Sequence, residues 1–372
     1  MIPTKTKPRP AVYTRQALID WYRRNRARSK ALFDLVSEEA YYRRPIALRH
    51  PIVFYEGHLP AFSFNTLVKR GLGEPGIDAR LETLFARGID PDESQGHTAG
   101  QRQDARGGWP ARETLQQFAE EADRRVLDAL AHADFDRPGH PLLDRAEAVF
   151  TILEHEAMHQ ETLLYMWHRL RLDEKQRPAG YTAPVDGPQP QQEWIEVPPG
   201  RATLGLDRDD LVFGWDNERP ATIADVGDFH IQRHDVTNAA FLEFVEAGGY
   251  ADGRWWRPAD WAWAQSEGAR HPLFWEQHDG AWAWRGMFDV LPLPLSWPVY
   301  VSQAEASAYA RWRGARLPTE AEFQRAAYGT PSGAERRHPW GDDPPTAAHG
   351  VLDFSRWDPA PAGRHPAGRS AG

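Results

Sequence analysis

The sequence predicts two domains of different class, a four-helix bundle followed by an irregular α+β domain. Three observations carry this. The 372 residues exceed one ordinary domain of about 100–200 residues and suit two. The first half holds long stretches with apolar residues at helical spacing and no convincing strand between them. Beyond a Pro- and Gly-rich break, short apolar runs alternate with Gly, Pro and Asp turns.

The elements follow in order. Thr14 is placed to N-cap a helix running to about Val36, because its side-chain oxygen can accept from an unpaired first-turn amide. A second helix is expected over Ile52 to Arg70, stopping at Gly71. A polar, Gly-rich loop, Gly88 to Gly108, separates it from a third helix, Arg112 to Ala131, and a fourth, Asp144 to Leu172. This gives a first domain over residues 1–176. Residues 177–192 carry Pro178, Pro184, Pro188 and Pro190 with Gly180 and Gly187. They read as a linker or crossing strap.

The second domain is expected over residues 193–372. Trp194–Val197, Thr222–Val226 and Phe229–Ile231 read as short strands, and Asn238–Ala247 and Gln303–Arg313 as helices. Most of the 16 tryptophans fall in this half. Core filling is their expected role, although such rings also line pockets for cationic or planar ligands.

Composition removes several function classes. With 44 basic and 53 acidic residues the net charge is −9, which disfavours general binding to nucleic-acid backbones, since that depends on neutralising phosphates. The basic run Arg23, Arg24, Arg26, Arg28 and Lys30 lies at helical spacing and reads as a solvated helix face. Cysteine is absent, so disulfides, thiolate metal sites and cysteine nucleophiles are excluded. The polar segment from Met1 to Tyr13 lacks the apolar core of a signal peptide, and no run of about 18 apolar residues suggests a membrane span. A cytoplasmic location is the default expectation.

The chemistry centres on the fourth helix, in His155-Glu156-Ala157-Met158-His159. Histidines four apart project from one helix face, one turn above the other, so both imidazoles can reach one ion. They interrupt an apolar stripe of Ala148, Ile152, Leu163, Met166 and Leu170, at positions facing inward. Burying two imidazoles costs free energy unless they are bonded. His58, in the second helix after Pro51-Ile52-Val53-Phe54-Tyr55-Glu56-Gly57, is the candidate third ligand, because bundle cores gather ligands from facing helices. His50 precedes Pro51 at the helix start and is expected to be exposed. Three neutral imidazoles leave open positions; iron(II) suits that arrangement when oxygen must bind beside a substrate, and zinc also accepts three histidines. The same residues spell the H-E-x-x-H pattern of zinc peptidases, in which Glu156 would be general base. The following residues, Gln160 to Tyr165, supply neither the glycine nor the third histidine of the metzincin pattern.

The segment His155–Glu161, preceded by Pro51–His58, resembles the DinB-like bundle of the ergothioneine-type sulfoxide synthases (EgtB-like). The second half resembles the formylglycine-generating-enzyme-like, C-type-lectin-like domain of the same enzymes. The matching strings are Phe213–Pro220, Val236-Thr237-Asn238, Gly248-Gly249-Tyr250, Trp255-Trp256, Ala315–Glu322 and Pro339-Trp340-Gly341-Asp342. The resemblance spans nearly the whole chain in the same order.

It implies an Fe(II)- and O2-dependent oxidoreductase that attaches sulfur, or selenium, to the imidazole of hercynine (trimethylhistidine), with His58, His155 and His159 as iron ligands. Met158 and Tyr55 are the candidate substrate-contacting side chains, and no catalytic acid is assigned. The chain departs from the family in three ways. The Gly96–Arg106 loop lacks the context of an arginine pair that clamps the carboxylates of γ-glutamylcysteine. Met158 stands where glutamine is common. The chain stops at Gly372, before a Gly-x-Trp-Glu-Trp segment of family members, and is expected to represent part of a longer protein. The first two departures resemble the selenoneine synthase (SenA) branch, which takes a selenosugar; a neutral sugar needs no clamping arginines. A cysteine-dependent formylglycine-generating enzyme and a non-catalytic binding module are the remaining alternatives. The implied partners are small molecules, with no nucleic acid and no membrane.

Overall fold

The computed structural model describes residues 13–86, 88, 108–208 and 210–371. The chain divides into two compact units. The first runs to Tyr181 and takes in Arg208–Gly214; the second comprises Thr182–Asp207 and the chain from Trp215 onward.

The first unit is helical. Helix α1 (Arg15–Asp34) starts where Thr14 Oγ1 accepts from the Ala17 amide at 3.1 Å. Its buried face, Leu18, Ile19, Tyr22, Asn25, Ser29, Leu32 and Phe33, follows the 3.6-residue period. Helix α2 (Ile52–Ser63) begins after Pro51, which presets the entering backbone. It continues as a π-wound segment, Phe64–Gly71. The sequence places the stop at Gly71 but gives no sign of the change in winding, which follows Pro60, a residue with no amide to donate. Nearly every α2 residue is buried, as expected for a helix apolar all round.

A short helix, α3 (Ala79–Leu84), absent from the sequence reading, is capped by Asp78, whose carboxylate accepts from the Arg80 and Leu81 amides. Helix α4 spans Arg112–His132 and α5 Glu147–Arg169. The latter starts later than expected because Arg145 and Ala146 adopt left-handed backbone (φ 57° and 56°), which separates a 3-10 turn at Asp144–Ala146 from the helix. It also ends earlier, before an extended Leu170.

Helix α1 packs on α4 and α5, and α2 packs on the same two helices. The α5 stripe of Ala148, Ile152, His155, His159, Leu163, Met166 and Leu170 is buried along its whole length. Polar groups fix α1 against α5. Asn25 donates to the Leu153 carbonyl at 2.8 Å, and Gln160 donates to the Asn25 carbonyl at 2.8 Å. Each such bond satisfies a group that would otherwise be costly to bury.

Two expectations change here. The basic run on α1 is not uniformly solvated: Arg23, Arg24 and Lys30 are exposed, but Arg26 turns inward to Asp123 at 2.8 Å and Glu156 at 2.9 Å. Two facing carboxylates draw it in. His50 is buried rather than exposed; its Nε2 lies 2.9 Å from the Gly88 carbonyl oxygen, and its ring lies 4.0 Å from that of Phe54. The Gly96–Arg106 loop falls outside the described residues.

The second unit mixes helix and short antiparallel ladders. Strand β1 (Trp194–Val197) pairs with β4 (Phe229–Gln232), and β2 (Gly200–Leu204) with β3 (Thr222–Val226). A three-stranded sheet is formed by β5 (Trp275–His278), β6 (Ala281–Arg285) and β7 (Val290–Pro292). The helices are α6 (Asn238–Glu246), α7 (Pro258–Ser266), α8 (Gln303–Trp312) and α9 (Glu320–Tyr328). The sequence reading found α6 and α8 and missed α7, α9 and the three-stranded sheet. The core is aromatic, built on Phe241, Phe244, Trp275, Trp284 and Trp297, so these tryptophans fill space. The Pro-rich segment is fastened to this unit through Asp186, which accepts from the amides of Leu295 at 2.8 Å and Ser296 at 3.1 Å. No helix among the described residues is long and apolar enough to cross a membrane.

Candidate metal centre

Three histidines from two helices converge inside the bundle. His58 comes from α2, and His155 and His159 come from successive turns of α5. One nitrogen from each lies within 4.8 Å of the others. The ring centroids are 5.1 Å apart for His58 and His155, 4.9 Å for His58 and His159, and 4.4 Å for His155 and His159. All three are buried, none more than 8% exposed.

One of the three pairs already has the spacing an ion requires. Nitrogens each about 2.1 Å from one metal, at octahedral or tetrahedral angles, lie roughly 3.0–3.4 Å from each other. His58 Nε2 and His155 Nε2 are 3.3 Å apart. His58 Nδ1 lies 2.7 Å from the Phe85 carbonyl oxygen; only a protonated Nδ1 can bond there, so Nε2 carries the lone pair aimed at the cluster. Two lone pairs at that separation repel unless a cation or a proton lies between them. His155 Nδ1 and both His159 nitrogens have no hydrogen-bond partner among the described residues. A fully buried imidazole with neither nitrogen bonded is costly, and a metal at this point would relieve that cost at one of them.

The electrostatics favour ligation too. Burial pushes His155 well below its ordinary pKa, with further repulsion from His159 and His58. His159 is pushed down to about 3, first by burial and then by His58. His58 is lowered by burial, against the opposing bond to Phe85, with His50 adding to the lowering. Neutral imidazole is the form that binds a metal.

Glu156 does not join the cluster. Its Oε1 accepts from Ser29 Oγ at 2.7 Å and from Arg26 at 2.9 Å. Burial pushes its carboxyl up, against the pull of Arg26 and Ser29.

Of the other named residues, Tyr55 is fully buried, its ring 5.8 Å from that of His159. Met158 is 48% exposed, pointing its side chain out of the core that holds its histidine neighbours. His50 is outside the three-histidine group. Two contributors went unseen in the sequence. Phe62 stacks on His155 with ring centroids 3.5 Å apart and planes 9° from parallel; standing four residues after His58, it shares that helix face, so spacing could have revealed it. Phe85 acts through its backbone carbonyl, for which the sequence carries no signal.

Residues 22–163 match the DinB superfamily, and residues 181–366 match the sulfatase-modifying factor enzyme 1-like domain. The chain is 37% identical to the hercynine oxygenase of Mycolicibacterium smegmatis over 282 residues, covering 68% of this chain and 65% of that protein. The chain belongs to the EgtB-like family. The hercynine oxygenase of Mycolicibacterium thermoresistibile is also 37% identical, over 72% of this chain and 64% of its own length. Ergothioneine biosynthesis protein 1 of Neurospora crassa is 27% identical over 83% of this chain and 38% of its own. The chain thus spans less than two thirds of the length of these curated relatives. In this chain the DinB match comes first, the sulfatase-modifying-factor match second, and the histidine cluster lies in the first.

Proposed function

We propose that this chain is an oxidative enzyme of the sulfoxide synthase type, in which His58, His155 and His159 hold one Fe(II) and a chalcogen atom is joined to the imidazole ring of hercynine. The observation that carries the reading is the convergence of three buried imidazoles, with nitrogens that have no hydrogen-bond partner among the described residues, in a chain of the EgtB-like family. Bound iron would supply the redox chemistry with dioxygen that allows a C–S or C–Se bond to form.

The chain's own part is arrangement. Burial keeps the three imidazoles neutral. Phe85 holds His58 from behind, and Phe62 fixes the plane of His155. Such outer contacts set ligand orientation and basicity. Glu156, held by Arg26 and Ser29, serves as structural support rather than as the base of a peptidase. A hercynine trimethylammonium group would be received by aromatic faces.

For the donor we propose a selenosugar. Met158 stands where many members carry glutamine, and the Gly96–Arg106 sequence lacks the usual carboxylate-clamping context. A γ-glutamylcysteine carboxylate without a partner would be expensive in a closed site. Relatives named for ergothioneine biosynthesis keep sulfur chemistry as the competing reading, for which γ-glutamylcysteine is the donor to test. The test is anaerobic loading with Fe(II), then hercynine and air with either donor, followed by mass spectrometry. A selenium–hercynine adduct supports the full reading. A sulfur adduct alone keeps the enzyme class and removes the selenosugar. No adduct with either donor removes the class.

A further inference from the structure

The contact between Gly57 and Phe85 carries a consequence for the metal centre. Gly57 immediately precedes His58 on α2. A Cβ placed on it would come within 2.4 Å of Phe85 Cζ and 2.5 Å of Cε1, far inside van der Waals contact. The Phe85 ring cannot simply yield. It is fully buried, with Phe54 and Trp109 at 6.3 Å and Phe118 at 6.5 Å. Side chains packed at interior density move only with their neighbours. Only a residue without a side chain at position 57 lets that ring lie flat on the helix.

The same residue that seats its ring on Gly57 also presents its backbone carbonyl to His58. That oxygen lies 2.7 Å from His58 Nδ1, while His58 Nε2 faces His155 Nε2 at 3.3 Å. His58 differs in this from its two partners. His155 Nδ1 and both nitrogens of His159 lack a hydrogen-bond partner among the described residues. Free imidazole in water favours neither fixed ring rotation nor this tautomer. A ligand already turned and protonated on the far nitrogen loses less freedom on binding.

We propose that Gly57 and Phe85 are positioning residues for His58: the glycine leaves room for the residue-85 side chain to pack without strain, and with that side chain seated the Phe85 carbonyl fixes His58 with Nδ1 protonated and Nε2 presented to the metal. His58 is then the preorganised ligand of the three, and the two α5 histidines complete the site around it. This rests on the three-histidine metal reading above, and its test separates the two.

The experiment uses the full chain and Co(II), an air-stable probe for an Fe(II) site, with affinity read by calorimetry and geometry by the visible d–d spectrum. In parallel, long-range proton–nitrogen NMR on metal-free protein reports the His58 tautomer, assigned by loss of the signal in His58→Gln. The wild type should bind one Co(II) and show His58 protonated on Nδ1. Gly57→Ala should bind roughly 10–100-fold more weakly, the range for loss of an outer partner, with a shifted spectrum and loss of the Nδ1–H signal. Gly57→Ala/Phe85→Leu, which makes room for the new methyl group, should recover most of the affinity and the signal. A merely structural role predicts lower stability with the tautomer and spectrum unchanged. Wild-type protein that binds no Co(II) would defeat the metal reading itself. Wild-type binding with equal affinity in Gly57→Ala, or His58 protonated on Nε2 in the wild type, would defeat the positioning proposal. If Gly57→Ala does not fold, the wild-type tautomer decides the question alone.

Discussion

Arg26 on α1 donates to Glu156 on α5 at 2.9 Å, so the residue next to His155 is tied to a different helix. Arg26 also holds Asp123 on α4 at 2.8 Å, and its own pKa is raised, burial being outweighed by Glu156 and Asp123. Three helices meet at one guanidinium. Glu156→Ala should therefore lower stability by roughly 3 kcal/mol, the lower end for breaking a buried pair, because Asp123 still partners Arg26. Glu156→Gln keeps an acceptor for Ser29 and should cost about 1 kcal/mol or less. Chemical denaturation of both variants checks this; equal losses would show that the acceptor kept by glutamine contributes nothing and that the lost charge alone sets the cost.

The same contact bears on hydrolysis. A peptidase base must reach metal-bound water, whereas Glu156 is buried with Oε1 held by Arg26 and Ser29 of α1 and stands outside the three-histidine group. Zinc-loaded protein is expected to leave casein intact. Zinc-dependent cleavage that vanishes in Glu156→Gln would restore the peptidase reading of the H-E-x-x-H pattern.

Acid stability should report the start of α9. Glu322 accepts from Arg316 and from the Thr319 amide in a capping box, and its pKa is lowered from 4.5 to about 2, chiefly by Arg316 and then by the Thr319 amide. A carboxyl with a depressed folded pKa stabilises the fold above its unfolded value and loses that contribution as pH falls. Glu322→Gln keeps the capping box but loses the Arg316 ion pair, and should melt lower than wild type at neutral pH by the equivalent of about 1 kcal/mol or less. The gap should close between pH 4.5 and about 2. A gap that stays constant over that range would remove the ionised Glu322 from the account.

Much of the bundle was legible because its signals are local. The Thr14 cap, the stop at Gly71 and the α5 stripe each declare themselves within a few residues. The histidine cluster was legible for the same reason: two of its histidines share a helix face, and the third interrupts an apolar helix. The failures are long-range. His50 is buried by a carbonyl 38 residues away, and Arg26 turns inward because of carboxylates 97 and 130 residues away. In the second unit, β6 buries Ala283 and Trp284 side by side, so the alternation that marks a strand is missing. The capping box Thr319 to Glu322 was a readable signal for α9, inside a string read only for its family resemblance.

Donor choice gives a kinetic prediction. With hercynine as co-substrate, a selenosugar should exceed γ-glutamylcysteine in kcat/KM. Each tenfold preference corresponds to about 1.4 kcal/mol of differential transition-state stabilisation. Equal or better turnover with γ-glutamylcysteine would place the chain with the sulfur-using enzymes and leave the histidine centre untouched.

The central claim is that His58, His155 and His159 hold one iron. Anaerobic titration with Fe(II), followed by iron K-edge absorption on the loaded protein, tests it most directly. The account predicts one tightly bound iron per chain with about three imidazole nitrogens at roughly 2.0–2.3 Å, and loss of stoichiometric binding in His155→Ala and in His159→Ala with the helical signal retained. Substoichiometric iron in the wild type, or undiminished binding in both variants, would contradict it.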